Sequence, residues 1–214
     1  MGYNNQKQLL IFLAAVVLTV MFSIYIVGKA ELPCCIQLKN VIYHENVFST
    51  RMFALIKREC SELHNSLTKE NGIAIGRETV MVPDESLIAE TFYNRDVMHR
   101  LGRMIGTRCI SRSPQPIEYR LYKTGSSMPW HRDDVITNMC PQIEIVFTVF
   151  NTSDSLTEWL DETKNKTVQV KSESNSMIIT QGKGAIHRVT ELTRGQRAII
   201  KIAYDLQAEI TSCT

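Results

Sequence analysis

The sequence predicts an α+β protein with a β-sandwich or jelly-roll core. Supporting helices precede that core, and one transmembrane helix precedes the helices. Three observations predict this. Residues 9–28 carry no charge. Two stretches between residues 47 and 105 repeat apolar residues at helical spacing. From residue 117 onward the pattern shortens to that of strands, with turn-rich segments between the runs. The 214 residues thus divide into an N-terminal tail and signal anchor (1–30), a helical support region (31–116) and a β-rich core (117–214).

The anchor comes first. LLIFLAAVVLTVMFSIYIVG is twenty residues long. At about 1.5 Å per residue a helix of that length spans roughly the 30 Å hydrocarbon core of a bilayer. Gly28 and Ala30 are small residues at the spacing of a leader cleavage site. Leader apolar regions are usually only about 7–15 residues long, which favours an uncleaved anchor. Lys7 lies on one side and Lys29 and Lys39 on the other, partly offset by Glu31, so flanking charge decides little about orientation. The short N-terminal tail favours a cytosolic N-terminus. The expected location is a single-pass membrane protein with its C-terminal domain lumenal or extracellular. Two glycosylation acceptor patterns, Asn151-Thr152-Ser153 and Asn165-Lys166-Thr167, agree with that. So does the even count of six cysteines, which permits disulfides. The cysteines lack C-x-x-C spacing, which argues against structural zinc.

Two helices follow. VFSTRMFALIKRECSELHNSL, residues 47–67, places Phe48, Phe53, Ile56 and Cys60 near one face. A second helix is expected over residues 84–105, with "PDES" at its start and Gly106 as its stop. Both read as supports for a sheet. The strands are IEYRLYK (117–123), QIEIVFTVF (142–150), TVQVK (167–171), SMIIT (176–180) and RAIIKIAYDL (197–206). Helices followed by several short strands give the α+β class, and the strand count suits a jelly roll. With 44% hydrophobic residues the composition is globular, and no long-period repeat suggests a solenoid or propeller. A net charge of +2 gives no field that would select nucleic acid.

The chemistry centres on "MPWHRDD", residues 128–134. On an extended chain His131 and Asp133 point to one face, so both can address one metal ion. They lack a third ligand, and His187, at the start of another strand, is the candidate. Two histidines and one carboxylate form the facial triad of non-haem Fe(II) oxygenases, with coordination positions left open. Arg197 lies ten residues after His187 in HRVTELTRGQR. If residues 194–196 turn, Arg197 returns on a neighbouring strand beside the metal, where a guanidinium can grip a carboxylate with two hydrogen bonds. Tyr122, nine residues before His131, is placed to donate to the same carboxylate.

Together, YKTGSSMPWHRD and HRVTELTRGQR resemble the Fe(II)- and 2-oxoglutarate-dependent dioxygenases, and within them the prolyl 4-hydroxylase-like group. The resemblance covers about residues 117–206 and implies a double-stranded β-helix core. Carried over by position, it implies Fe(II) on His131, Asp133 and His187, and the distal carboxylate of 2-oxoglutarate on Arg197 and Tyr122. It further implies dioxygen as oxidant, L-ascorbate as the agent keeping iron reduced, and decarboxylation of 2-oxoglutarate to succinate with hydroxylation of the substrate. That substrate is a protein side chain, prolyl among the options, or a small molecule. Two departures leave the substrate open. Met128 stands where many relatives have an aromatic residue, and NTSDSLTEWLDETKNKT replaces a common G-G-x-T segment.

Other residues near these motifs have plainer readings. Asp134 points away from Asp133 on an extended chain. Trp130 and Trp159 suit either the substrate entrance or core packing. Lys201 suits an inward strand position, and Glu144 either braces a ligand histidine or sits on an exposed face. Two rival functions exist. One is a membrane-anchored binding protein with an inactive dioxygenase fold, against which the intact triad and Arg197 argue. The other is a nucleic-acid dealkylating dioxygenase, against which the anchor and weak net charge argue.

Overall fold

The computed structural model describes residues 38, 41–107, 110–134 and 141–206. The anchor expected over residues 9–28 and five of the six cysteines lie outside them. Among the described residues no helix is long and apolar enough to cross a membrane, and the described cysteine, Cys60, is a buried free thiol.

Helix α1, Thr50–Leu63, begins where Ser49 accepts a hydrogen bond from the backbone N–H of Met52 and ends in a 3-10 turn, His64–Ser66. The second expected helix is two. Helix α2, Leu87–Phe92, is capped by Ser86, whose hydroxyl accepts from the N–H of Ala89. Helix α3, Arg95–Ile105, is capped by Asn94 and stopped by Gly106 at φ 80°. The break is local chemistry. The Asn94 side chain accepts from the N–H of Asp96 at 2.8 Å, so it starts a new helix instead of continuing the old one.

Twelve strands form two antiparallel sheets among the described residues. They are β1 (Ile42–His44), β2 (Thr68–Lys69), β3 (Glu78–Met81), β4 (Ile110–Arg112), β5 (Glu118–Tyr122), β6 (Met128–His131), β7 (Gln142–Asn151), β8 (Thr157–Asp161), β9 (Lys166–Val170), β10 (Ser176–Gln181), β11 (His187–Val189) and β12 (Arg197–Leu206). The larger sheet runs β1-β10-β7-β12-β5-β3-β2, with β4 also on β12; the smaller runs β6-β11-β8-β9. The stretch read as helical support therefore also contributes β1 to β4.

Strand alternation sorts the long strands into two environments. On β7 and β12, Ile143, Ile145, Phe147, Ile200, Ile202 and Tyr204 pack into one core with Ile56, Ile88, Phe92 and Leu101 of the helices. There the Phe147 ring meets Phe48, Phe92 and Phe53 edge-on, with centroids 5.4, 5.4 and 6.0 Å away. The other face of β12 carries Arg197, Ile199 and Lys201 into a pocket between the sheets. A smaller apolar cluster of Ala74, Tyr122, Met128, Val189, Leu192 and Ile199 closes part of that space.

Candidate metal centre and anion pocket

His131 ends β6 and His187 begins β11, and the two residues are direct register partners. Pairing brings their rings to a centroid distance of 4.2 Å. The Nδ1 atom of His131 lies 2.8 Å from the Pro129 carbonyl, and that of His187 lies 3.0 Å from the Ala185 carbonyl. A carbonyl only accepts, so each Nδ1 carries the proton and each Nε2 keeps its lone pair. Asp133 sits two residues past the end of β6, in irregular chain. Its oxygens lie 3.6 Å from the Nε2 of His131 and 3.4 Å from that of His187.

One potential ligand atom from each of the three lies within 4.8 Å of the others. Asp133 is held from two sides: Thr180 Oγ1 donates to its carboxylate at 3.3 Å, and the N–H of Lys183 donates to its carbonyl at 2.8 Å. Asp134 is exposed. Burial would push the Asp133 carboxyl up, but His131 and His187 outweigh it and hold the group at about 2. Burial likewise opposes charge on both histidines. The contact with Asp133 nonetheless raises His131, while His187 stays below its ordinary value. A small cluster with two free imidazole nitrogens and one carboxylate fits a divalent transition metal with open positions.

Arg197 faces the triad from the opposite sheet. Its expected place on a strand neighbouring His187 is corrected: β11 lies between β6 and β8, whereas β12 lies between β7 and β5. The chain crosses from one sheet to the other through the turn at Gly195, so Arg197 reaches over the gap rather than along one sheet. Its Nη1 donates to Thr157 Oγ1 at 2.9 Å. The side chain is 1% exposed, and its Nε has no hydrogen-bond partner among the described residues. Burial pulls its pKa down. A buried guanidinium with one hydroxyl partner and a free donor is costly until an anion meets it.

Tyr122 of β5 is the register partner of Arg197 and is also buried. Its hydroxyl accepts from Arg77 Nη1 at 2.7 Å. Sequence reasoning missed Arg77, which lies just before β3 in the stretch taken for helical support. Glu144 braces neither histidine. It is buried, and it pairs with Lys201 at 2.8 Å. Burial and the facing Asp133 push its carboxyl up to about 7 against the pull of Lys201. His131 and His187 use backbone carbonyls instead. Trp159 is buried and lines the pocket, whereas Trp130 is exposed with Arg188 stacked 4.7 Å above its ring. The pocket has the triad, Arg77, Tyr122, Arg197, Lys201 and Glu144 in its walls.

No protein-family model matches the chain, and no curated protein sequence matches it. Solved structures do. A prolyl-4-hydroxylase from Pseudomonas putida superposes with a TM-score of 0.62 at 10% identity, over 79% of this chain and 94% of that one. A prolyl hydroxylase from Trichoplax adhaerens, in complex with a hypoxia inducible factor peptide fragment, gives 0.62 at 10% identity, over 83% and 88%. HygX from Streptomyces hygroscopicus, with nickel and 2-oxoglutarate bound, gives 0.59 at 10% identity, over 79% and 84%. At such identities the likeness establishes the fold.

Proposed function

We propose that this chain, which has the fold of the 2-oxoglutarate- and Fe(II)-dependent oxygenases, is itself such a dioxygenase. In this reading it hydroxylates a protein side chain, with prolyl the first residue to test. The observation that carries the reading is the pairing of two unusual features in one pocket. His131, Asp133 and His187 converge on a single point, and a buried guanidinium with a free donor faces them.

In this reading the two Nε2 atoms and the Asp133 carboxylate hold Fe(II), and the carbonyls of Pro129 and Ala185 keep both imidazoles turned toward it. Arg197 and Tyr122 orient 2-oxoglutarate by its distal carboxylate. Iron with 2-oxoglutarate and dioxygen supplies the oxidising power, with succinate and carbon dioxide as co-products. Val146, Trp159 and Ile199 give the pocket apolar walls. The peptide held by the Trichoplax neighbour supports a protein substrate. Ascorbate is proposed as the reductant that keeps the iron active, and the uncharged run at residues 9–28 as the membrane anchor.

The test is succinate release from 2-oxoglutarate by the full-length protein in detergent, with Fe(II), ascorbate and a panel of prolyl and lysyl peptides. Iron-dependent succinate, absent in Asp133→Ala, is expected. An inactive binding protein would release none with any peptide, whatever its metal content.

A further inference from the structure

Arg77 is only 4% exposed, and it lines the pocket. Strand pairing puts it there. Glu78 is the register partner of Leu121, so the preceding residue, Arg77, falls beside Tyr122. Each nitrogen of its guanidinium has a partner. Nε donates to Glu70 Oε2 at 2.5 Å, Nη2 pairs with the other carboxylate oxygen of Glu70, and Nη1 donates to Tyr122 Oη at 2.7 Å. The segment between β2 and β3 is pinned as well. The N–H of Glu70 donates to the Arg77 carbonyl at 3.0 Å, and Ser126 Oγ donates to the Gly76 carbonyl at 2.9 Å.

A guanidinium has no acceptor, so the Tyr122 oxygen can only receive in this contact. Its own proton is then free for another acceptor, and Tyr122 lines the pocket. We infer that Arg77 is a positioning residue that makes Tyr122 an obligate donor toward the distal carboxylate of a dicarboxylate cosubstrate. The inference rests on the proposed 2-oxoglutarate site and adds a third residue to it. Arg77 acts through Tyr122, and Glu70 acts through Arg77.

The experiment is anaerobic binding of 2-oxoglutarate to the full-length protein loaded with Fe(II), alongside 2-oxobutanoate, which lacks the distal carboxylate. A hydrogen bond to a charged group is worth enough that losing it should weaken 2-oxoglutarate binding about tenfold or more. Arg77→Lys keeps a charge for Glu70 but cannot serve both partners, so it and Tyr122→Phe should each show that loss. The double variant should bind no worse than Tyr122→Phe alone, because both act on one hydrogen bond. Affinity for 2-oxobutanoate should stay within about twofold in all of them, near the limit expected for uncoupled sites. Glu70→Gln, which leaves Arg77 in place, should give a smaller loss confined to 2-oxoglutarate, and it decides the matter if Arg77→Lys fails to fold. Additive losses in the double variant, an equal loss for 2-oxobutanoate, or no loss in Tyr122→Phe would each overturn the inference. If Arg197→Ala still weakens 2-oxoglutarate, the cosubstrate site stands without Arg77. If Arg197→Ala also binds as wild type, the site itself is wrongly assigned.

Discussion

Asp133 and Asp134 are adjacent in the chain, yet Asp133 faces two imidazole nitrogens and Asp134 faces solvent. The extended-chain argument points to Asp133, which the structure places beside both imidazoles although β6 ends at His131 and Asp133 lies in irregular chain. Arg197 is as sharply placed. A charge-assisted hydrogen bond contributes about 1.5–3 kcal/mol, so Arg197→Ala should weaken 2-oxoglutarate binding roughly ten- to a hundredfold. Fe(II) binding should be nearly unchanged. Arg194→Ala is the control, since its side chain is 83% exposed; titration of both variants with 2-oxoglutarate checks the assignment. The metal-free site also makes a pH prediction. Against the opposing effect of burial, Asp133 raises the pKa of His131 above its ordinary 6.5, so in the free protein that imidazole takes a proton at a higher pH than an ordinary histidine. Metal binding must expel it. Fe(II) affinity should therefore begin to fall at a pH above the ordinary imidazole value of 6.5 as acid is added, with proton release, and His187, whose pKa is lowered, should contribute only at lower pH. Calorimetry in buffers of different ionisation enthalpy counts the protons.

At the scale of elements, what the sequence made legible follows burial. Strands β7, β10 and β12 are apolar because both their faces are covered, one by helices and one by the second sheet, and their periodicity is plain. Strands β6, β8 and β11 are not. β6 contains Pro129 and lies at a sheet edge, where a missing N–H is tolerated. β8 carries Glu158 inside, satisfied by Arg188 at 2.5 Å and Gln169 at 2.6 Å, so its composition reads as a loop. His131 sits on β6, Asp133 just past it and Thr157 on β8, strands that apolar periodicity does not mark; the triad reads instead from residue spacing and from the strand start expected at His187. Spacing could not tell which sheet would carry Arg197, since that depends on the turn at Gly195. There φ is +73°, and an added Cβ would lie 2.4 Å from the Thr152 carbonyl oxygen and 2.9 Å from Ser153 Cα. These are backbone atoms with little freedom to move. Gly195→Ala should thus destabilise the fold by about 1–2 kcal/mol or more, lower the melting temperature, and weaken 2-oxoglutarate binding through the displaced Arg197. A melting temperature equal to wild type would contradict that account of the turn.

At the scale of the whole molecule, the helices and the jelly roll divide the labour. The phenylalanine cluster of α1, α2 and β7 stabilises the outer face of the large sheet, which leaves the inner face free to carry charged residues into the pocket. The proposed anchor would hold this unit at a membrane. Carbonate extraction should leave the full-length protein in the membrane fraction. A translocated domain should also be glycosylated at Asn165, which is exposed between β8 and β9. At Asn151 the side-chain amide already donates to the Ser172 carbonyl at 3.0 Å. Asn165→Gln should therefore remove the glycan mass shift, and Asn151→Gln should not. The central claim is that one metal ion joins His131 of β6, His187 of β11 and Asp133 just past the end of β6. Its most direct measurement is anaerobic Fe(II) titration of the full-length protein, as wild type, Asp133→Ala and Asp134→Ala. The account predicts one iron per chain in wild type and Asp134→Ala and none in Asp133→Ala; tight binding to Asp133→Ala, or its loss in Asp134→Ala alone, would contradict it.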